Sequence, residues 1–241
     1  VDISFYTAAV GAIQQQARMD VHANNIANIN TDGFRAEKPE FSSLMYGSVN
    51  GVDGEKLPRG SGAFLCSADT DFKQGPAVST GRSQDYAISG DGFFALLDPA
   101  SGTYSYTRDG SFTLSEFPQK NEAGQQELGM YLSDGMGRFV IGSDGRMIRV
   151  DDPDAEQPVG IFDFANTNGM QHSGENCFTP VKKNGDLMIG SGKVIQGSLE
   201  ASNADLATEL TKVIEAQRSF SYALKMVQTS DEIESTVIHL R

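Results

Sequence analysis

Apolar residues recur at helical spacing at the two ends of this chain and at strand spacing between them. Near the C-terminus Leu206, Leu210, Val213, Gln217, Phe220, Leu224 and Val227 alternate in steps of four and three, the seam of a coiled coil. The register then shifts by one residue and continues through Met226, Ser230, Ile233, Val237 and Leu240. At the other end Ile3, Tyr6, Val10, Ile13 and Ala17 repeat the pattern over a shorter stretch, with Gln14, Gln15, Arg18 and Asp20 on other faces. Stripes this narrow need a partner helix, so the two ends are expected to pair. Such helices are marginal alone and are expected to fray until other subunits cover them.

The first helix should run to about residue 29, where Asn28, Ile29, Asn30, Thr31, Asp32 and Gly33 break it. Between Phe41 and Lys73 periodicity is weak, which reads as an extended connection with room for a hairpin. Strand signals follow at Tyr86–Ile88 and Phe93–Leu97, with Gly90, Asp91 and Gly92 read as a hairpin turn between them. Tyr104 and Tyr106 alternate with polar neighbours, and Asp109–Gly110 reads as a further hairpin turn toward Phe112 and Leu114. Asp134–Gly135 and Asp144–Gly145 separate Tyr131–Leu132, Phe139–Ile141 and Met147–Val150, and Ile161–Phe164 and Val194–Ile195 close the series. Turns at this spacing predict an all-β region. Ser202 or Asn203 is the expected cap of the final helix, with Asp205 in its first turn. The expected fold is therefore a mainly β central domain of short strands and hairpins, with terminal α-helices that pair as a coiled coil. The divisions are 1–36 with 203–241, a connection over 37–75, and a β-rich domain over 76–202.

With 241 residues the chain can bury one core, or one core and a helical appendage. A formal charge of −13 argues against nucleic acid, which requires a basic face. No run of eighteen apolar residues occurs, so no membrane insertion is expected, and no secretory signal pattern opens the chain. Cys66 and Cys177 are too few for a disulfide framework and read as free thiols or one incidental bridge.

Motifs for chemistry fail in context. Gly90–Ala95 fits a loose dinucleotide pattern, but a strand ending at Asp98 and Pro99 follows where a helix N-terminus is required. Gly185–Ser191 lacks the lysine of a phosphate loop, and no nucleophile elbow is present. His22, His172 and His239 lie far apart without partners at ligand spacing. Pro153 spoils Asp151, Asp152, Asp154 and Glu156 as a calcium loop. No catalytic group, cofactor or metal is expected, and an enzyme on a β scaffold would need a cleft of convergent polar groups that the sequence does not offer.

The polar run from Asn24 to Arg35 carries four Asn whose side chains compete for backbone groups, so it must be held by specific partners. This run resembles the N-terminal signature of bacterial flagellar axial proteins of the rod and hook class. The match falls without a gap on Asn24, Asn25, Ile26, Ala27, Asn28, Thr31, Gly33, Phe34 and Arg35. Phe5–Ala9 is similar to the family's opening, and Gly197–Asn203 with Ala216–Phe220 to its C-terminal signature. Asp85–Phe94, Tyr106–Phe112 and Phe164–Met170 resemble segments of the rod subset, so the likeness covers nearly the whole chain. Val10 stands where a small polar residue is usual, and Gly47–Ala63 is irregular.

The resemblance implies a non-catalytic basal-body rod subunit, with the short central region speaking against the hook protein. A hook-type or assembly-scaffold protein of the same system is the alternative. It further implies export by the flagellar type III apparatus without a cleaved signal peptide, and assembly with itself and other rod and hook proteins into the periplasmic drive shaft. The paired helices would form an inner tube. Helical polymerisation requires a heterologous contact, for which the candidates are Tyr6, Val10, Ile13, Asn25, Asn28, Gly33, Phe34, Leu210, Val213, Gln217, Phe220 and Leu224.

Overall fold

The computed structural model describes residues 3–50, 55–120, 126–153 and 155–240. Its contacts divide into two units, one of residues 1–27, 37–71 and 205–241, the other of residues 28–36 and 72–204.

The first unit holds both long helices and a β-hairpin. Helix α1 spans Ile3–Ala27, and the chain returns to this unit in strands β1 (Glu37–Ser43), β2 (Gly47–Asn50), β3 (Lys56–Arg59) and β4 (Ala63–Thr70). Strand β1 pairs antiparallel with β4, with a register shift after Glu40, and β2 pairs with β3. The stretch expected as a connection is thus a hairpin that packs on α1, where the Leu65 amide donates to Gln14 Oε1 at 2.7 Å. Helix α2 spans Leu206–His239 and runs antiparallel to α1: Ser4 meets Ser230, Arg18 meets Glu215 and His22 meets Glu209.

The cap of α2 is Asp205, whose side chain accepts from the Thr208 amide at 3.0 Å. Ser202 and Asn203, expected to cap, are used elsewhere: Ser202 Oγ accepts from the Ala204 amide, and the Asn203 side chain bonds Ala36 and Lys73 backbone groups.

The second unit is β-rich. Its strands are β5 (Ala77–Ser79), β6 (Tyr86–Ser89), β7 (Phe94–Leu97), β8 (Tyr104–Thr107), β9 (Thr113–Lys120), β10 (Gln126–Ser133), β11 (Phe139–Val140), β12 (Phe162–Phe164), β13 (Gln171–Gly174), β14 (Cys177–Thr179), β15 (Leu187–Ile189), β16 (Lys193–Gln196) and β17 (Ser198–Glu200). Among the described residues seven of them form one antiparallel sheet in the order β13-β14-β8-β7-β11-β10-β9, while β12–β15, β16–β6 and β17–β5 pair separately. The apolar run Phe93–Leu97 explains why β7 is interior. Successive side chains alternate faces, so Phe94 and Leu96 enter one core cluster with Tyr86, Ile88 and Phe112, while Phe93 and Ala95 enter another with Tyr106, Phe164 and Phe178.

Two expected hairpins are corrected. Strand β6 pairs with β16 rather than β7, and β8 lies between β7 and β14 rather than beside β9. At Asp109–Gly110 the chain instead passes against β6, where the Gly110 carbonyl accepts from the Tyr86 amide and a Cβ on Gly110 would lie 1.7 Å from the Tyr86 oxygen. Glycine is required there for close backbone approach, not for a hairpin turn. The cysteines are both free, Cys66 exposed and Cys177 buried, and burial pushes the Cys177 thiol above its ordinary value. Among the described residues no helix is long and apolar enough to cross a membrane.

Candidate assembly site

The signature run from Asn24 to Arg35 is spent on internal bonds, and its residues divide between the two units. In the helical unit Asn25 is fully buried. Its Nδ2 donates to the Glu37 carbonyl at 2.8 Å, and its Oδ1 accepts from the Glu37 amide at 2.9 Å, so one side chain mimics a strand partner for the chain as it re-enters. The same Nδ2 lies 3.1 Å from Glu209 Oε2, which also stands 2.6 Å from His22 Nδ1, and Lys212 donates to Glu209 Oε1 at 2.9 Å. Burial pushes the Glu209 carboxyl up, but Lys212, Asn25 and His22 more than offset it, and the net shift is below the ordinary glutamate value.

In the β unit the end of the signature surrounds Glu200. Its Oε1 accepts from Arg35 Nη2 at 2.7 Å and from the Gly75 amide at 2.8 Å, and its Oε2 from Arg108 Nη1 at 3.1 Å. All three charged side chains are buried. Arg108 also donates to the Gly90 carbonyl and stacks over the Phe93 ring. Burial lowers the affinity of Arg108 for its proton, Glu200 opposes that, and Arg35 adds to it. Gly33 sits beside this knot at φ +67°, donating its amide to the Glu200 carbonyl at 2.6 Å, and Thr31 closes the turn with its amide on the Asn28 carbonyl and its hydroxyl on Asn28 Oδ1. Of the sequence candidates, Asn25, Gly33 and Phe34 are therefore buried within the chain, and Asn28 is half-buried.

The helical candidates are placed differently. Along α2 the buried or half-buried positions include Glu209, Val213, Ala216, Phe220, Ala223, Val227 and Ser230, again in steps of four and three, with Lys212 and Ser219 half-buried beside them. This seam shares Val213, Phe220 and Val227 with the expected one but takes Glu209, Ala216 and Ala223 in place of Leu210, Gln217 and Leu224. Small residues at 216, 223 and 230 admit a close neighbouring backbone, whereas leucines there would hold it off. On α1 Ser4, Arg18, His22 and Asn25 make polar contacts to α2. Part of each apolar stripe remains outside: Tyr6 and Ile13 are 57% and 63% exposed, and Leu210 and Leu224 are 45% and 41% exposed. Val10, Val213 and Phe220 are half-buried and Gln217 is exposed. Burial of polar Glu209, His22 and Asn25 in the helix contact is the feature sequence reasoning missed; the coincidence of a Glu with an His and an Asn spaced three apart was its only trace.

The sequence of the chain is similar to those of known proteins. Residues 5–35 match a profile described as flagella basal body rod protein, residues 87–152 one described as flagellar hook protein FlgE/F/G D1 domain, and residues 195–240 one described as flagellar basal body rod FlgEFG protein C-terminal. The flagellar basal-body rod protein FlgG of Bacillus subtilis is 32% identical over 99% of this chain and 98% of its own length. FlgG of Borreliella burgdorferi is 32% identical over 95% of each, and the rod protein FlgF of Caulobacter vibrioides 29% identical over 99% of this chain and 97% of its own. The chain belongs to the flagellar basal-body rod protein family. It is a structural subunit of the flagellar basal body.

Proposed function

We propose that this chain is a non-catalytic, FlgG-type rod subunit that polymerises with copies of itself and joins other rod and hook proteins. The observation that carries this reading is the exposure of the large apolar side chains Tyr6 and Ile13 on α1 and Leu210 and Leu224 on α2, two helices that already meet through other residues. Residues such as Tyr6, Ile13, Leu210 and Leu224 gain roughly 1.5–3 kcal/mol each on full burial, which a neighbouring copy supplies. In this reading α1 and α2 pair as an antiparallel coiled coil, their unit lines the inner tube of the rod, and the β unit makes the outer contacts. A stripe on one copy that meets a different surface on the next generates an open helical assembly. Ordering of the helix ends is coupled to that burial, which suits a chain exported unfolded through the flagellar type III apparatus. Asn25, Gly33 and Phe34 act by holding the chain's own course, and the interface proper comprises Tyr6, Val10, Ile13, Leu210, Gln217 and Leu224. Sedimentation velocity and electron microscopy of the full chain test this: open-ended oligomers growing with concentration are expected, and a small closed ring at all concentrations refutes it.

A further inference from the structure

A cavity of about 390 Å³ in the helical unit is lined by Arg18, His22, Lys38, Pro39, Phe41 and Lys212. Four basic side chains and no carboxylate line it, in a chain whose formal charge is −13. Their present partners do not line the cavity: Glu209 for His22 and Lys212, Glu215 for Arg18 at 3.7 Å, and Asp71 for Lys38. His22 is 2% exposed, and its Nε2 is buried without a hydrogen-bond partner. Its Nδ1 faces Glu209, which leaves Nε2 as the ring's unused polar atom in the wall of the cavity. A buried polar atom without a partner is costly, and the Arg18, Lys38 and Lys212 side chains around it select a carboxylate as the group that enters.

The complementary group lies on the same helix. Asp231, Glu232 and Glu234 are exposed near the C-terminal end of α2, with no Lys or Arg from Met226 to Leu240. The helix dipole offers negative charge no stabilisation at that end. At roughly 1.5 Å per residue the run lies about 30 Å along the axis from Lys212, so within one copy the two cannot meet. We propose that the basic cavity receives the Asp231–Glu234 run of a second copy, making a head-to-tail contact between helical units displaced along their long axis. Resting on the polymer reading above, this contact names the charged part of the heterologous interface. It also gives highly acidic copies, which otherwise repel, a specific attraction that sets axial register.

The test is zero-length carbodiimide cross-linking of the assembled full chain, mixed from isotopically light and heavy copies, followed by mass spectrometry. Mixed-isotope links from Lys38 or Lys212 to Asp231, Glu232 or Glu234 are expected. Lys38→Glu, and separately the triple change of Asp231, Glu232 and Glu234 to Lys, should each weaken self-association about tenfold, roughly 1.4 kcal/mol. The combined variant should recover most of the loss, with circular dichroism confirming that each variant is folded. Open oligomers whose mixed links avoid these residues, or charge reversals without effect, overturn this contact and leave the polymer reading standing. A chain that remains monomeric at every concentration overturns both.

Discussion

Gly33 of the signature, and Glu209 as the partner of its Asn25, show what the buried residues of the two units do. A Cβ on Gly33 would lie 2.4 Å from the Asp109 nitrogen, and its φ of +67° is already unfavourable for an L side chain. Gly33→Ala is therefore expected to destabilise the β unit by about 2–4 kcal/mol in urea unfolding. The lowered carboxyl of Glu209 makes a pH prediction in the helical unit. A depressed folded-state value contributes stability that is present above the ordinary glutamate value of 4.5 and is lost as pH falls through the folded value. Far-ultraviolet circular dichroism during acid titration should show the helices weakening in that range. Glu209→Gln should weaken them at neutral pH and flatten this part of the titration; an unchanged profile would separate Glu209 from helix pairing. The spacing of the asparagines and Gly33 was legible as a constrained turn, but their partners, Glu37 and Glu200, are remote in sequence and left no local signal.

The long helices were visible in the chain because a period near 3.6 repeats over many turns. Which face turns inward was not, since two stripes overlap on α2 and share Val213, Phe220 and Val227. Apolar content favours the stripe with Leu210 and Leu224; close approach favours the one with Ala216 and Ala223, and the latter is the one buried. The two faces give opposite predictions. Ala216→Leu, at a fully buried position, should lower the thermal stability of the helical unit by about 1–3 kcal/mol through overpacking. Leu210→Ala, at a position 45% exposed, should change monomer stability by less than about 0.5 kcal/mol yet raise the concentration needed for assembly in sedimentation. In the β unit, Gly92 and Gly110 look in sequence like hairpin turns but close none. They permit close passage of strands that are distant in sequence: a Cβ on Gly92 would meet Ile161 Cγ2 at 2.3 Å.

The molecule as a whole divides where local reading would not divide it. Residues 28–36, contiguous with the first helix, group with the β unit, and 37–71 return to the helices. Arg35 accounts for the first of these through its buried bond to Glu200, and Gln14 for part of the second through Leu65. A truncation at residue 36 would remove Arg35 and leave Glu200 with one fewer counter-charge, at a cost of about 3–5 kcal/mol for a broken buried pair. A chain of residues 28–204 keeps that pair and should retain the β-unit fold by near-ultraviolet circular dichroism. It should also stay monomeric in sedimentation at concentrations where the full chain assembles. If it assembles equally well, the helices are not the polymerising element.

Periodicity, turn chemistry and contiguous signatures are local properties, and they were enough for two terminal helices, a β-rich middle and the membership of a family. The inward face of α2, the Glu209 and Glu200 knots, the partners of β6 and β8 and the basic cavity beside His22 could be known only in three dimensions. Each depends on groups that meet across many tens of residues, and a buried polar residue looks the same in sequence as an exposed one until its partner is in place.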